Sequence, residues 1–363
     1  GSGTPTIAGA TPVVSGGTQT FSALNFTSIG TTTLTFSTAN LVAGGTSSVT
    51  TGTYDVQGGE PASLAITYDA TEAPAGKTGF GLKVTLKDAG GNTVSGPHAT
   101  DAITVDVADG DNDATNNAAV IAGGTPATVA GLANFSTLRL SGKVGVTYTL
   151  TFTVTYVDST SVTRTRSATQ TVTLTPGDAT KLKVQTPAAG FVNRTNFSTQ
   201  PVIAVKDAYD NTVTSSNASV SVAVSAVGGT STQVLTGTLS ATASSGVATF
   251  VGLGKTGLVG DKRLTFSANN LSSDTQDFTL TYGAANKLAM TSPASTVNDT
   301  VFGTQPIVTI QDEDGNTVAD STATVTLTSS NANIGGTLLN SAVAMDAIAG
   351  VANFSGKNVK LTG

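Results

Sequence analysis

VKDAYDNTVTSS, residues 205–216, decides the fold, because the phrase recurs as LKDAGGNTVSG (86–96) and IQDEDGNTVADS (310–321). Each copy follows an alternating apolar run, as in PVIAVKD (201–207), and precedes another. Asp, Gly and Asn accept the turn and left-handed conformations that reverse a chain. The Asp-x-x-x-Asn-Thr-Val phrase is therefore expected to be a β-hairpin connection, and its repetition to be architectural.

Other phrases repeat with it. Gly-x-x-x-Phe occurs at Gly17–Phe21, Gly131–Phe135, Gly246–Phe250 and Gly350–Phe354, with Phe spacings of 135−21=114, 250−135=115 and 354−250=104. Leu-Thr-Phe follows the first three, at 34–36, 150–152 and 264–266. The intervals between the opening phrases agree: 207−88=119 and 312−207=105. A unit of this length suits one β-sandwich. Boundaries at Gly58, Gly177 and Gly283 predict a C-terminal half repeat at 1–57, whole domains at 58–177 and 178–283, and the N-terminal part of a repeat at 284–363. Residues 3–30 align without a gap on 336–363, so the segment reads as a window on a longer array.

Within each unit the apolar period is two. Val220, Val222 and Val224 share one face, as do Ala323, Val325 and Leu327, and Leu150, Phe152, Val154 and Tyr156. The opposite faces are almost pure Thr and Ser, whose β-branching or small hydroxyl suits a solvated strand without charge. The expected fold is all-β, with tandem Ig-like antiparallel β-sandwiches in an extended array. The core of 178–283 is predicted to include Leu182, Val202, Val222, Phe250, Leu264 and Phe266.

The composition narrows the function. Only 11% of residues are charged, against about 25% in typical soluble domains. With 23 acidic and 17 basic residues and no basic run carrying aromatics, nucleic acid is not an expected partner. The absence of cysteine excludes disulfides, zinc-thiolate sites and thiol nucleophiles. No apolar stretch reaches the roughly 18 residues of a membrane span. No membrane contact is expected from this segment, and any export signal or anchor is expected outside it.

The opening strand KLKV (181–184), the D-x-x-G-N-x-V phrase, GVATF and GVANF (246–250, 350–354) and LTFSA (264–268) together resemble the bacterial Ig-like domains of invasin- and intimin-type adhesins, S-layer proteins and other large surface proteins. The resemblance implies an extracellular, cell-surface location and a spacing role without catalysis. It leaves three readings open: a rod that assembles with further copies of itself or neighbouring surface proteins into an S-layer, sheath or fibre; a monomeric stalk, or glycan- or protein-binding module, of an adhesin; and the accessory domains of a large secreted enzyme.

Candidate sites are few. In DVADGDNDATNN (106–117), Asp109, Asp111 and Asp113 alternate on a turn-rich segment, and hard oxygens on a short loop are what Ca²⁺ requires. The EF-hand pattern fails, since Ala114 holds the place of its glycine and Val120 that of its closing Glu, so the segment reads either as a calcium loop or as a solvated acidic loop. No cofactor beyond such a Ca²⁺ is expected. The last phrase, Asp312-Glu313-Asp314-Gly315-Asn316, could also wrap an ion, but the Asp88 copy has one acid, which favours a turn. His98, the one histidine, lies in GPHAT without a nucleophile elbow and reads as a loop residue. Arg164 and Arg166 alternate with Thr on a lengthened hairpin, facing one side as edge protection or as a docking edge. Asn-x-Ser/Thr sequons, including Asn193 and Asn353, permit glycosylation without requiring it.

Overall fold

The computed structural model describes residues 7–8, 12–15, 18–21, 25–26, 29–41, 45–67, 72–78, 81–109, 119–227, 234–292, 297, 300–328, 337–338 and 343–362. The chain is all-β. The helical elements among the described residues are two short 3-10 turns, Gly96–Thr100 and Phe354–Lys357, and no helix is long and apolar enough to cross a membrane. Two compact units form, one of residues 1–177 with 208–211, the other of 178–207 with 212–363.

The second unit contains a whole β-sandwich. One sheet runs Lys181–Thr186, Val202–Lys206, Val247–Thr249. The facing sheet runs Ser240–Thr242, Ser219–Ala226, Gly260–Ser267, Asp274–Leu280, and every ladder in both is antiparallel. Between them lies a core that includes Leu182, Ile203, Val205, Val220, Phe250 and Phe266. Further along the chain, Lys287–Thr291, Ile307–Gln311 and Val351–Asn353 form a second three-stranded sheet, and Thr324–Leu327 pairs with Val343–Asp346 over a smaller core around Val308, Ile310 and Phe354.

The first unit holds another sandwich. Ser63–Thr67, Lys83–Lys87, Leu132–Asn134 and Thr128–Val129 form one sheet. Ile103–Asp109, Thr147–Val157 and Thr163–Thr175 form the other, with Glu72–Pro74 joining in parallel. The lengthened hairpin is as expected: Thr147–Val157 and Thr163–Thr175 pair from Thr147↔Thr173 to Val157↔Thr163. Earlier in the unit, Gly30–Leu41 pairs with Gly45–Val56.

Two expectations are corrected. The repeated phrase is not a hairpin between paired strands. In all three copies the strand before it and the strand after it lie in different sheets, so the phrase turns a corner of the sandwich. Only one bridge follows each turn, at Lys87↔Thr93, Lys206↔Thr212 and Gln311↔Thr317. The next residue, Val94, Val213 or Val318, is buried and donates its N–H to Leu86, Val205 or Ile310. Burying that valine ends the ladder and carries the chain across. The second correction is one of phase. Val202 is half-buried while Ile203 and Val205 enter the core, so the apolar run at 202–205 is inward one residue later than expected. Ala323 likewise is exposed and precedes its strand.

Phe250 is fully buried and packs 5.7 Å, centroid to centroid, from Phe266. Phe250→Ala should therefore cost the 178–283 segment about 3–5 kcal/mol in chemical denaturation. A loss under about 1 kcal/mol would contradict this packing.

Candidate functional site: a clamp at the sandwich corner

The corner phrase first satisfies itself. Asp312 N–H donates to Asn316 O (2.9 Å), and Asp312 Oδ1 accepts the N–H groups of Asp314 (3.0 Å) and Asn316 (2.9 Å). Asn316 Nδ2 donates to both oxygens of the same carboxylate. This is the Asx geometry that lets an Asp side chain stand in for backbone in a turn. The Asp88 copy repeats it, with Gly90 and Asn92 N–H on Asp88 Oδ1 at 2.9 and 2.8 Å.

In the second unit the corner also grips the preceding sandwich. Asp312 Oδ2 accepts Gly283 N–H (3.0 Å) and Asn193 Nδ2 (2.7 Å). Asn193 Nδ2 reaches Asp314 Oδ2 as well (2.8 Å), and its Oδ1 accepts Gly257 N–H (2.9 Å). Asn316 Oδ1 accepts Val259 N–H (2.9 Å) while its Nδ2 donates to Gly257 O (3.0 Å). At the rim, Arg194 closes a fork on Asp314, Nε to Oδ2 at 2.7 Å and Nη2 to Oδ1 at 2.9 Å, and Nη1 lies 3.0 Å from Glu313. Asn193 and Asp312 are each 1% exposed.

Local folding puts these groups in place. Val192 bridges Thr281, and Asn193 N–H donates to Thr281 O, so the last strand of the sandwich carries Asn193 to its end. Arg194 takes a left-handed φ of 60° and donates its N–H to Lys255 O. Gly283 approaches so closely that a Cβ there would stand 2.7 Å from Asn193 O.

The electrostatics follow from the bonds. Burial works to raise the Asp312 pKa, but the donors from Gly283, Asn316 and Asn193 outweigh it and hold the carboxyl well below the usual range. Arg194 does most to hold Asp314 down, and Asp314 in turn raises Arg194. Lys255, also buried, donates Nζ to Thr256 O, and desolvation followed by nearby Lys262 pushes its pKa down. An ion needs free lone pairs. Here protein donors already engage the Asp312 and Asp314 carboxylates, so the arrangement is a clamp made of hydrogen bonds.

The same exchange occurs in the first unit, to which residues 208–211 belong. Val144 N–H donates to Asn211 Oδ1 (3.0 Å), Asn211 Nδ2 donates to Gly142 O (3.0 Å), and Lys143 Nζ donates to Tyr209 O (2.8 Å). Gly142 and Val144 thus match Gly257 and Val259. At the Asp88 corner, Gly59 N–H donates to Asp88 Oδ2 (3.1 Å) as Gly283 does to Asp312. Beside it Asn92, Ile29, Glu60, Tyr156 and Arg166 line a cleft of about 800 Å³.

The other sequence candidates separate. Asp109 ends a strand opposite Tyr148, while Asp111 and Asp113 lie outside the described residues. His98 Nδ1 lies 2.7 Å from Asp101, and its ring meets Tyr156 edge-on at 5.2 Å. Arg164 and Arg166 do share a side, the side of Tyr156 and Val154. Arg164 bonds Asp158 at 2.8 Å, and Arg166 lies 5.8 Å from the Tyr156 ring centroid. The Asn193 sequon is spent inside the clamp. Asn193 and Arg194 carry the least sequence signal of the clamp. Their one visible mark is an arginine beside an asparagine in a chain that uses few charges.

No protein-family model and no curated protein sequence matches the chain. Solved structures match with low scores. The FdeC adhesin of Escherichia coli is 18% identical over 82% of this chain and 99% of its own, with a TM-score of 0.31. Domains 5–6 of the S-layer protein SbsC are 17% identical over 61% of this chain and 97% of theirs, at 0.21. Parabacteroides merdae β-glucuronidase is 8% identical over 61% of this chain, at 0.22, and the chain spans about a quarter (24%) of its length. No function transfers across such distances.

Asn193→Ala removes donors to two carboxylates and should cost the 178–363 segment about 1–3 kcal/mol by denaturation. An unchanged midpoint would remove Asn193 from the clamp. Asp312 is depressed in the fold, so its stabilisation is complete above the unfolded Asp pKa of about 4 and is lost as pH falls below it. Asp312→Asn should lower the melting temperature at pH 7 and flatten its fall below about pH 4. A mutant with the wild-type acid slope would contradict that assignment.

Proposed function

We propose that the chain is a non-catalytic structural segment of a bacterial extracellular surface protein, a rod of sandwiches that assembles with further copies into an S-layer, sheath or surface fibre. The observation that carries this reading is the clamp. Within the second unit, the corner phrase that turns one sandwich also bonds the glycine turn of the sandwich before it, at Asn316 on Gly257 and Val259. Such a device serves a protein whose task is to hold a distance. The short connections around Gly177 and Gly283 favour the same role, since they leave little slack. The motif resemblance to bacterial Ig-like domains supports the surface location. Low charge and Thr-lined faces favour association, because little repulsion keeps copies apart.

Small-angle scattering of dilute protein tests the rod. A compact 363-residue globule would have a radius of gyration of about 21 Å. The rod should far exceed that, each sandwich adding roughly 35–45 Å of length from strands of about ten residues. A radius near the compact value would overturn it.

A further inference from the structure

We infer that the 178–283 sandwich is a load-bearing element, in which the first and last segments of the domain form a patch that resists stretching of the chain by shear. Bearing load goes beyond the spacing role proposed above, and rests on that role in taking the chain as one pulled lengthwise.

The patch joins the two places where the chain enters and leaves the sandwich. Lys181 bridges Ser272 and Val192 bridges Thr281, both in parallel, so residues 180–193 and 272–281 run side by side in one direction. Main-chain bonds fasten both ends of the run. At its start Ser272 N–H donates to Thr180 O (2.9 Å) and Leu182 N–H to Ser272 O (2.8 Å); at its finish Thr281 N–H donates to Phe191 O (2.9 Å) and Asn193 N–H to Thr281 O (3.0 Å). Between them side chains replace the ladder. Asp274 Oδ2 accepts Val184 N–H (2.8 Å), Gln276 Oε1 accepts Ala188 N–H (2.9 Å), and Gln276 Nε2 donates to Ala188 O (2.7 Å). By alternation Asp274 and Gln276 share a face with Phe278 and Leu280, which are buried in the core. Polar side chains at such positions are explained by what they reach, the first segment of the domain.

Direction decides what the patch does. Tension along the chain pulls backward at residue 178 and forward at residue 283, which are opposite ends of two parallel segments. The segments can part only by sliding along each other, so the bonds between them are loaded together. Pulled apart from one shared end, the same bonds would open in sequence. Forced unfolding is set by the unfolding rate, so bonds that must break together slow it most effectively. The sandwich at 58–177 has the same layout with main-chain bonds: Glu72–Pro74 lies parallel to Thr173–Thr175, and Ala75 N–H donates to Thr175 O (2.9 Å).

Constant-force optical tweezers on the 363-residue chain test this, since the lack of native cysteine lets handles be attached at chosen pairs. Handles at Asp178→Cys and Ala285→Cys load the patch in shear, whereas handles at Asp178→Cys and Ser273→Cys open it from one end. At equal force the shear pair should unfold at least about tenfold more slowly. Asp274→Ala combined with Gln276→Ala should speed unfolding under shear by roughly fivefold for each side-chain bond lost. The one-ended pull should be unchanged, because its first step breaks the bonds at Ser272. Asp274→Asn, which keeps an acceptor oxygen, should retain most of the native resistance. The two geometries of the otherwise native chain decide the matter even where the double variant fails to fold. Equal unfolding rates in both geometries, or a double variant that weakens both alike, would overturn load bearing by this patch. The rod is tested separately by scattering and would stand in either case.

Discussion

A buried carboxylate cannot be left unpaired, and the structure of the second unit depends on how Asp312 meets that demand. Desolvating a charge costs far more than one hydrogen bond returns. Asp312 answers with donors from three places: its own turn through Asp314 and Asn316, the linker through Gly283, and the preceding sandwich through Asn193. Removing any one source leaves the others to hold a charge they do not fully satisfy. Turn, linker and neighbouring domain therefore share one electrostatic requirement, and local folding of the corner becomes a condition on how the next sandwich is seated.

The rest of the architecture makes this arrangement repeatable. Alternating apolar strands give each sandwich its core, and the buried valine after each Asn ends the ladder and turns the chain across the core. That turn places the Asp-x-x-x-Asn loop at the tip of the domain. In the second unit the preceding domain brings a glycine turn at Gly257, whose backbone offers one carbonyl and, at Val259, a nearby N–H to a single asparagine amide. A primary amide supplies two N–H donors and a carbonyl acceptor on one planar group, so Asn316 can bond its own Asp312 and both groups of the neighbouring turn, which a carboxylate could not. The corner at Asp88 keeps its internal bonds, and its Asn92 shares the lining of a cleft with Ile29.

Much of this was legible in the sequence, and the limits have physical causes. The period of two and the recurring Phe and Leu-Thr-Phe phrases are local signals, and they place the strands and most of the core of 178–283. VIAV is apolar at every position, so alternation has no phase to read there, and Val202 is half-buried while Ile203 and Val205 enter the core. The corner looked like a hairpin because Asp, Gly and Asn announce a turn but not the sheet that receives the next strand; the buried valine decides that. Asn193 and Arg194 stayed hidden for another reason. Their role is fixed by partners 119 to 121 residues away, and nothing in NRT separates a clamp from a glycosylation sequon.

In the second unit the corner at Asp312 ties one sandwich to the next. Electron–electron spin distances test it most directly, and the chain's lack of cysteine allows one label to be introduced in 178–283 and one in 284–363 without background. The native chain should give a narrow distance distribution that broadens when Asn193→Ala and Asn316→Ala are combined. Distributions of the same width with and without the two asparagines would contradict it.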